Sequence, residues 1–181
     1  WRCSTGCLVT SRSERRLGYA MRFWLLDTIR SYEPNVSLTA IKNVALSEEY
    51  LGDHFPEFPV LPGVFMLEAA TQAGAWLLRL SENFAHSMIS LKEARNVKYA
   101  DFVQPGQTLE VTVTLLKKDD RFASLKMEGQ TSGRIALTGR LELQRYNLAD
   151  TNPERESIDK LLIEHFRRME TFMFSRRSAT N

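Results

Sequence analysis

The sequence predicts an α+β domain in which a curved antiparallel sheet wraps one buried helix, followed by an amphipathic C-terminal helix. Residues 63–80 are apolar nearly all the way round, which marks a buried helix rather than a surface one. After Glu82-Asn83 the hydrophobic period changes to two and stays there through Arg145. From Asn152 onward the period is again helical, with a single apolar stripe.

Residues 1–20 carry Arg2, Arg12, Arg15 and Arg16 against the single acid Glu14, amid Ser and Thr and without apolar periodicity. They read as a flexible tail or translated upstream sequence, since Met21 opens the first patterned segment; a short targeting segment shares this composition. The main domain is expected over residues 21–148 and a helical extension over 149–181. Residues 22–29, with Phe23, Leu25, Leu26 and Ile29, suggest a short helical turn before Glu33-Pro34-Asn35 breaks the chain. Residues 37–46 alternate as a strand, and 47–62 read as a loop dense in turn residues. Pro62, lacking a backbone donor, suits the start of the long helix. Gly74 inside that helix costs about 1 kcal/mol against Ala, which implies close packing against a neighbouring backbone.

Residues 88–103 hold one long strand or a bent pair, ended by Gln104-Pro105-Gly106. Leu109, Val111, Val113 and Leu115 then alternate with polar residues, as do Ala123, Leu125 and Met127 beyond the turn at Lys117-Lys118-Asp119-Asp120. Ile135, Leu137, Gly139, Leu141 and Leu143 complete the pattern. Strands joined by hairpins with one polar face imply an antiparallel sheet with one wet side. Asn152-Pro153-Glu154 is a helix start, and Ile158, Leu161, Leu162, Phe166, Met169 and Met173 set an amphipathic helix over 153–174. Its stripe is expected to dock on the domain or on a partner subunit; Arg168, Arg176 and Arg177 would also suit a membrane surface or an acidic partner.

Composition narrows the function. A hydrophobic content of 43% and a charged content of 25% are ordinary for a globular chain. A net charge of +2 gives no basic stripe for nucleic acid. The longest apolar run, residues 58–78, is interrupted by prolines and Glu68, so no membrane span is expected. Cys3 and Cys7 have no Cys or His neighbours and read as incidental rather than metal-binding. Without a disulfide framework or secretory signal, the expected compartment is the cytoplasm.

Chemistry concentrates in one loop and the helix after it. His54 sits in a loop stiffened by Pro56, Pro59 and Pro62, whereas His86 and His165 are expected to be solvated. Glu68 is the one charged residue between Phe58 and Leu78. Burial without a partner would cost several kcal/mol or force a proton onto it. Gln72, one turn later, can hydrogen-bond it; alternatively Glu68 points out through a gap in the burial. Gly63 stands at the helix N-terminus, where the first N–H groups lack partners and the dipole is positive, and a glycine lets a carbonyl approach. Base, acid and oxyanion donor together suit proton abstraction beside a thioester carbonyl followed by loss of a β-hydroxyl.

The run His54-Phe55-Pro56, Pro59, Pro62-Gly63-Val64, then Glu68-Ala69 and Gln72, resembles the signature of the FabZ-type 3-hydroxyacyl-acyl-carrier-protein dehydratases. Lys98 to Gly106 and Leu109 are similar to that family's strand ending in Val-x-Pro-Gly, and the likeness covers residues 21–145. It implies a hot-dog fold and a homodimer, often assembled as a trimer of dimers. The His of one subunit would face the carboxylate of the other. His54 would then take the C2 proton, Glu68 would protonate or position the departing hydroxyl, and the Gly63 amide would hold the thioester oxygen. Val64 would share that binding site, with Phe55, Pro62 and Gln72 in support. No metal or organic cofactor is implied. The acyl chain would lie in an apolar tunnel lined by the turn at residues 64–67, and the carrier would be acyl carrier protein.

The chain departs from the family in having Asp53 before His54 and Glu57 after Pro56, where glycines are usual. These changes remove backbone freedom and add negative charge that favours the protonated imidazole. Phe58 adds bulk that would narrow the tunnel. Two other readings fit the same residues: a hot-dog thioesterase or acyl-CoA hydratase, and a non-catalytic acyl-binding homologue. An acidic carrier would dock on basic side chains, for which Arg79, Arg95, Lys98, Arg167 and Arg168 are candidates.

Overall fold

The computed structural model describes residues 23–55 and 57–174, so the expectations for residues 1–20, Cys3, Cys7, Arg176 and Arg177 lie outside the described residues. Strands β1 (Thr28–Glu33) and β2 (Ser37–Asn43) are followed by a short helix α1 (Tyr50–Asp53) and the long helix α2 (Gly63–Ser81). Then come β3 (Met88–Tyr99), β4 (Thr108–Lys118), β5 (Phe122–Thr131), β6 (Arg134–Tyr146) and helix α3 (Glu156–Phe174).

The strands form one antiparallel sheet of six in the order β1-β2-β4-β5-β6-β3. β2 and β4 are neighbours although α2 and β3 lie between them in sequence. The chain therefore leaves β2, crosses the sheet as α2, and adds β3 at the far edge. Register follows the alternation of the sequence. Leu38 lies opposite Val113, Val113 opposite Met127, and Leu125 opposite Leu141, so one face is continuously apolar. Against it α2 lays Ala69, Ala70, Ala73 and Leu77, all fully buried. Small side chains let the helix axis sit close to the sheet. At Gly74 an added Cβ would come within 2.9 Å of Leu143 Cδ1. The close approach expected there exists, but its partners are the leucine side chains of β5 and β6 rather than a backbone.

Two local expectations are corrected. Of the expected turn, the described residues 23–29 form no helix: 23–27 lead without a helical turn into β1. This path wins because its polar groups find partners across the molecule. The Leu25 N–H donates to Gln72 Oε1 at 3.1 Å and the Asp27 N–H to the Ile41 carbonyl at 2.8 Å. The expected loop 47–62 contains α1, and β2 ends at Asn43. Of the two forms expected for residues 88–103 the structure takes the single long strand, β3, bent at register shifts between Leu91 and Glu93 and between Arg95 and Lys98.

Helix α3 docks on the domain. Phe166 and Met173 are buried, and the Thr28 hydroxyl donates to the Met173 carbonyl at 2.9 Å. Phe166 meets Trp76 of α2 edge to face at 6.2 Å. The start of α3 is clamped by buried Asp159, whose carboxylate accepts from the Ser87 hydroxyl and from the N–H groups of Leu148 (2.9 Å) and Ala149 (2.8 Å). Burial alone would raise the Asp159 carboxyl, but these bonds win and hold it below its ordinary value. The two histidines expected to be solvated are only partly so. His86 Nδ1 lies 3.3 Å from the Glu82 carboxylate with the side chain 25% exposed. Half-buried His165 is pushed down by burial and then by Arg168.

Asp159→Ala should cost about 2–4 kcal/mol, since it strips a charged acceptor from buried donors. Thermal unfolding should show Tm lower by about 4–12 °C; an unchanged Tm would mean that α3 is held by its apolar stripe alone.

Candidate active site

The loop bearing His54 is braced on both sides. Before it, Lys42 Nζ donates to Glu48 Oε1 at 2.8 Å and the Tyr50 hydroxyl donates to the same carboxylate. Burial would raise Glu48, yet the Lys42, Tyr50 and Ala45 hydrogen bonds outweigh it and hold the carboxyl low; burial and that carboxylate push the Tyr50 phenol up. The Tyr50 ring packs edge to face on Phe65 of α2 at 4.7 Å. After the loop, Val60 and Leu61 are buried and the Leu61 N–H donates to the Val103 carbonyl at 2.8 Å.

His54 directly follows α1 and meets the Phe55 ring at 4.5 Å. Phe55 has φ of 51°, the left-handed region, and its carbonyl accepts from the Phe58 N–H at 2.8 Å. Such a conformation for a bulky residue costs roughly 1–3 kcal/mol and persists where the surroundings over-determine it. The left-handed conformation in this loop falls on Phe55, not on Asp53 or Glu57.

The N-terminus of α2 forms the next wall. The Pro62 carbonyl accepts from Phe65 (2.9 Å) and Met66 (3.2 Å), and no side chain caps the helix. The amides of Gly63 and Val64 are left without intrahelical acceptors. A Cβ on Gly63 would lie 3.0 Å from the Tyr99 ring, so the residue is small because β3 lays an aromatic ring against it. His54, Gly63, Met66, Tyr99, Asp101 and Phe102 line one cavity of about 420 Å³. Of the turn expected to line an acyl tunnel, Met66 reaches this cavity, whereas Val64 does not line it and is 64% exposed. Phe58 is exposed too and packs against Phe102 at 5.6 Å.

Glu68 lies elsewhere. It is half-buried in a second cavity of about 180 Å³ on the flank of α2, shared with Gln72, Trp76 and Arg79 and roofed by Leu162 and Phe166 of α3. Gln72 Nε2 donates to Glu68 Oε1 at 2.9 Å and to the Phe23 carbonyl at 2.9 Å. With the Leu25 contact, this fixes the amide and, through it, one carboxylate oxygen. His54 and Glu68 thus line separate cavities within one chain. Among the described residues no group of three or more His, Cys, Asp or Glu could hold a metal ion, and no helix is long and apolar enough to cross a membrane.

Residues 30–139 match the model of the ApeI-like family, described as ApeI dehydratase. The chain belongs to this family of hot-dog dehydratases. The 3-hydroxyacyl-(acyl-carrier-protein) dehydratase FabZ of Latilactobacillus sakei is 39% identical over 117 residues, 65% of this chain and 84% of that protein. The FabZ of a Janthinobacterium strain is 33% identical over 135 residues, 71% of this chain and 85% of its own. Among solved structures, the ApeI:P dehydratase heterocomplex from Xenorhabdus doucetiae aligns with a TM-score of 0.60 at 22% identity, covering 74% of this chain and 90% of that one. A thioesterase from Pseudomonas aeruginosa aligns at 0.53 and 15% identity over 65% and 79%. At such identities these structures share the fold alone with the ApeI-like chain.

Reading the sequence missed Tyr99 and misjudged Arg79. Nothing in sequence links a tyrosine at the end of β3 to Gly63; only the sheet brings them together. Arg79 was a candidate for carrier docking, but it is 8% exposed and so out of reach of another protein. Its position was legible, because it falls on the same helical stripe as Glu68, Gln72 and Trp76.

The Glu48 carboxyl is lowered from 4.5 on folding, so the stability it contributes is complete above that pH and is lost as pH falls through the folded value. Glu48→Gln should therefore lower Tm most near neutral pH, with the gap to wild type closing below pH 4.5. A gap that stays constant down to acid pH would refute this bracing role.

Proposed function

We propose that this protein catalyses the reversible dehydration of a (3R)-3-hydroxyacyl thioester carried on acyl carrier protein, giving the trans-2-enoyl thioester, in fatty-acid or related lipid synthesis in the cytoplasm. The observation that carries the reading is a histidine and the open N-terminus of a buried helix facing one cavity of about 420 Å³. The family membership and the FabZ relatives support the substrate class.

In this reading His54 accepts the C2 proton while the Gly63 amide and the α2 dipole stabilise negative charge growing on the thioester oxygen. Electrons from the broken C2–H bond form the C2=C3 double bond as the C3–O bond breaks. Glu68 gives its proton to the departing hydroxyl, which leaves as water. The proton on His54 returns through solvent to the carboxylate. Because His54 and Glu68 of one chain line different cavities, Glu68 comes from a second copy of the chain. β3 supports such a pairing: it is a sheet edge of 12 residues with Leu91 and Tyr99 exposed. The functional unit is then a homodimer, which can assemble further as a trimer of dimers. Arg95 and Lys98 on β3 and Arg167 and Arg168 on α3, all exposed, remain available to an acidic carrier.

The test follows loss of conjugated enoyl absorbance as the protein hydrates a crotonyl thioester. His54→Ala and Glu68→Ala should each lower kcat/KM by roughly 100-fold or more without loss of folding. Co-expressing the two variants should restore part of the rate, because a mixed dimer contains one site with both groups intact. No restoration would sink the shared site. Release of free thiol instead of enoyl loss would identify a thioesterase, and inertness on carrier-protein and coenzyme A thioesters would identify an acyl binder.

A further inference from the structure

Helix α2 presents Glu68, Thr71, Gln72, Ala75, Trp76 and Arg79 along one stripe, and all of them line the second cavity. At about 1.5 Å per residue the stripe is about 16 Å long, with a carboxylate at one end and a guanidinium at the other. Trp76 and Phe166 make the wall between them aromatic.

Arg79 is an unusual residue to bury. It is 8% exposed, its guanidinium stacks over the Phe166 ring at 3.7 Å, and its buried Nε–H makes no hydrogen bond. None of the ion pairs among the described residues includes it. Burial lowers its pKa to about 10, which still leaves it charged at neutral pH. The aromatic stack offsets part of the cost of burying the charge, but a guanidinium that lines a cavity with no acceptor is expensive in any protein. A ligand oxygen would complete it.

We propose that Arg79 binds an acceptor oxygen at the far end of an acyl chain laid along this cavity, so that the preferred substrates are acyl thioesters ending in an oxygen function rather than a bare methyl. Helix α3 thereby acquires a role, since Leu162 and Phe166 close the cavity over the stripe. The orientation follows from charge: the reacting thioester end lies toward Glu68 and the oxygen-bearing end toward Arg79. The substrate preference rests on the dehydratase reading of Glu68, whereas the contact to Arg79 does not.

The experiment compares three matched 2-enoyl N-acetylcysteamine thioesters about ten carbons long, the span of the stripe less the reach of the arginine side chain. They end in a methyl, a hydroxyl or a carboxylate. Wild type should favour both oxygen-ended substrates over the methyl one by about tenfold or more in kcat/KM, expressed in KM, as a bond to a charged donor would give. Arg79→Met should bring that ratio close to one, and Arg79→Lys should keep part of it. Equal kcat/KM on all three in wild type would overturn the proposal, as would an Arg79→Met protein that slows on all three alike with its preference intact. Crotonyl thioester, too short to reach Arg79, reports the chemistry separately. If wild type is inert on it and on all three longer thioesters, the dehydratase reading fails and calorimetric titration with the same three thioesters decides the site. Tighter binding of the oxygen-ended ligands by wild type but not by Arg79→Met would uphold it, and equal binding would overturn it.

Discussion

A helix buried on nearly all sides can present chemistry in two places only: its N-terminal end and any stripe the sheet leaves uncovered. Helix α2 uses both. Its alanine face sits against the apolar face of the sheet, and the leucines of β5 and β6 leave no room for a side chain at position 74. The N-terminal end, opened by Pro62 and Gly63, meets the His54 loop and the Tyr99 ring. The uncovered stripe carries Glu68, Gln72 and Arg79 beneath α3. Placement of every candidate functional group follows from how this one helix is packed.

Polar groups on such a helix must each find a partner or a purpose. Gln72 is fully engaged, holding residues 23 and 25 on one side and Glu68 on the other. That single side chain links the entry of the chain into the sheet with the orientation of a carboxylate. Glu68 is bound through one oxygen. Arg79 rests on an aromatic ring with its Nε–H unengaged. The contrast along one stripe, from satisfied amide to unsatisfied guanidinium, separates the groups that build the fold from those that await a ligand.

The His54 loop shows where a strained turn finds its support. In the loop that holds Asp53 and Glu57 the left-handed conformation rests on Phe55. What secures it is outside the loop: the Lys42–Glu48–Tyr50 network before it and the Leu61–Val103 bond after it. Loop geometry here is dictated by its anchors more than by its own sequence.

Much of the fold was legible from periodicity. The all-round apolar pattern of α2, the period-two strands β4 to β6 and the stripe of α3 each follow from side chains that must face a core, and these patterns are local. His54, Gly63 and Glu68 were legible for a similar reason, since a lone carboxylate in an apolar run and a glycine behind a proline are anomalies of burial and backbone. Residues 23–27 misled because Phe23, Leu25 and Leu26 fit a helical face and an extended edge equally well. The choice was made by Gln72, a partner far away in sequence. Tertiary structure alone decided that His54 and Glu68 line different cavities, that Tyr99 covers Gly63, and that Arg79 is buried under Phe166 rather than offered to a carrier. Those facts depend on which strand lies at which edge and where a distant helix comes to rest, and no local pattern of hydrophobicity carries that information.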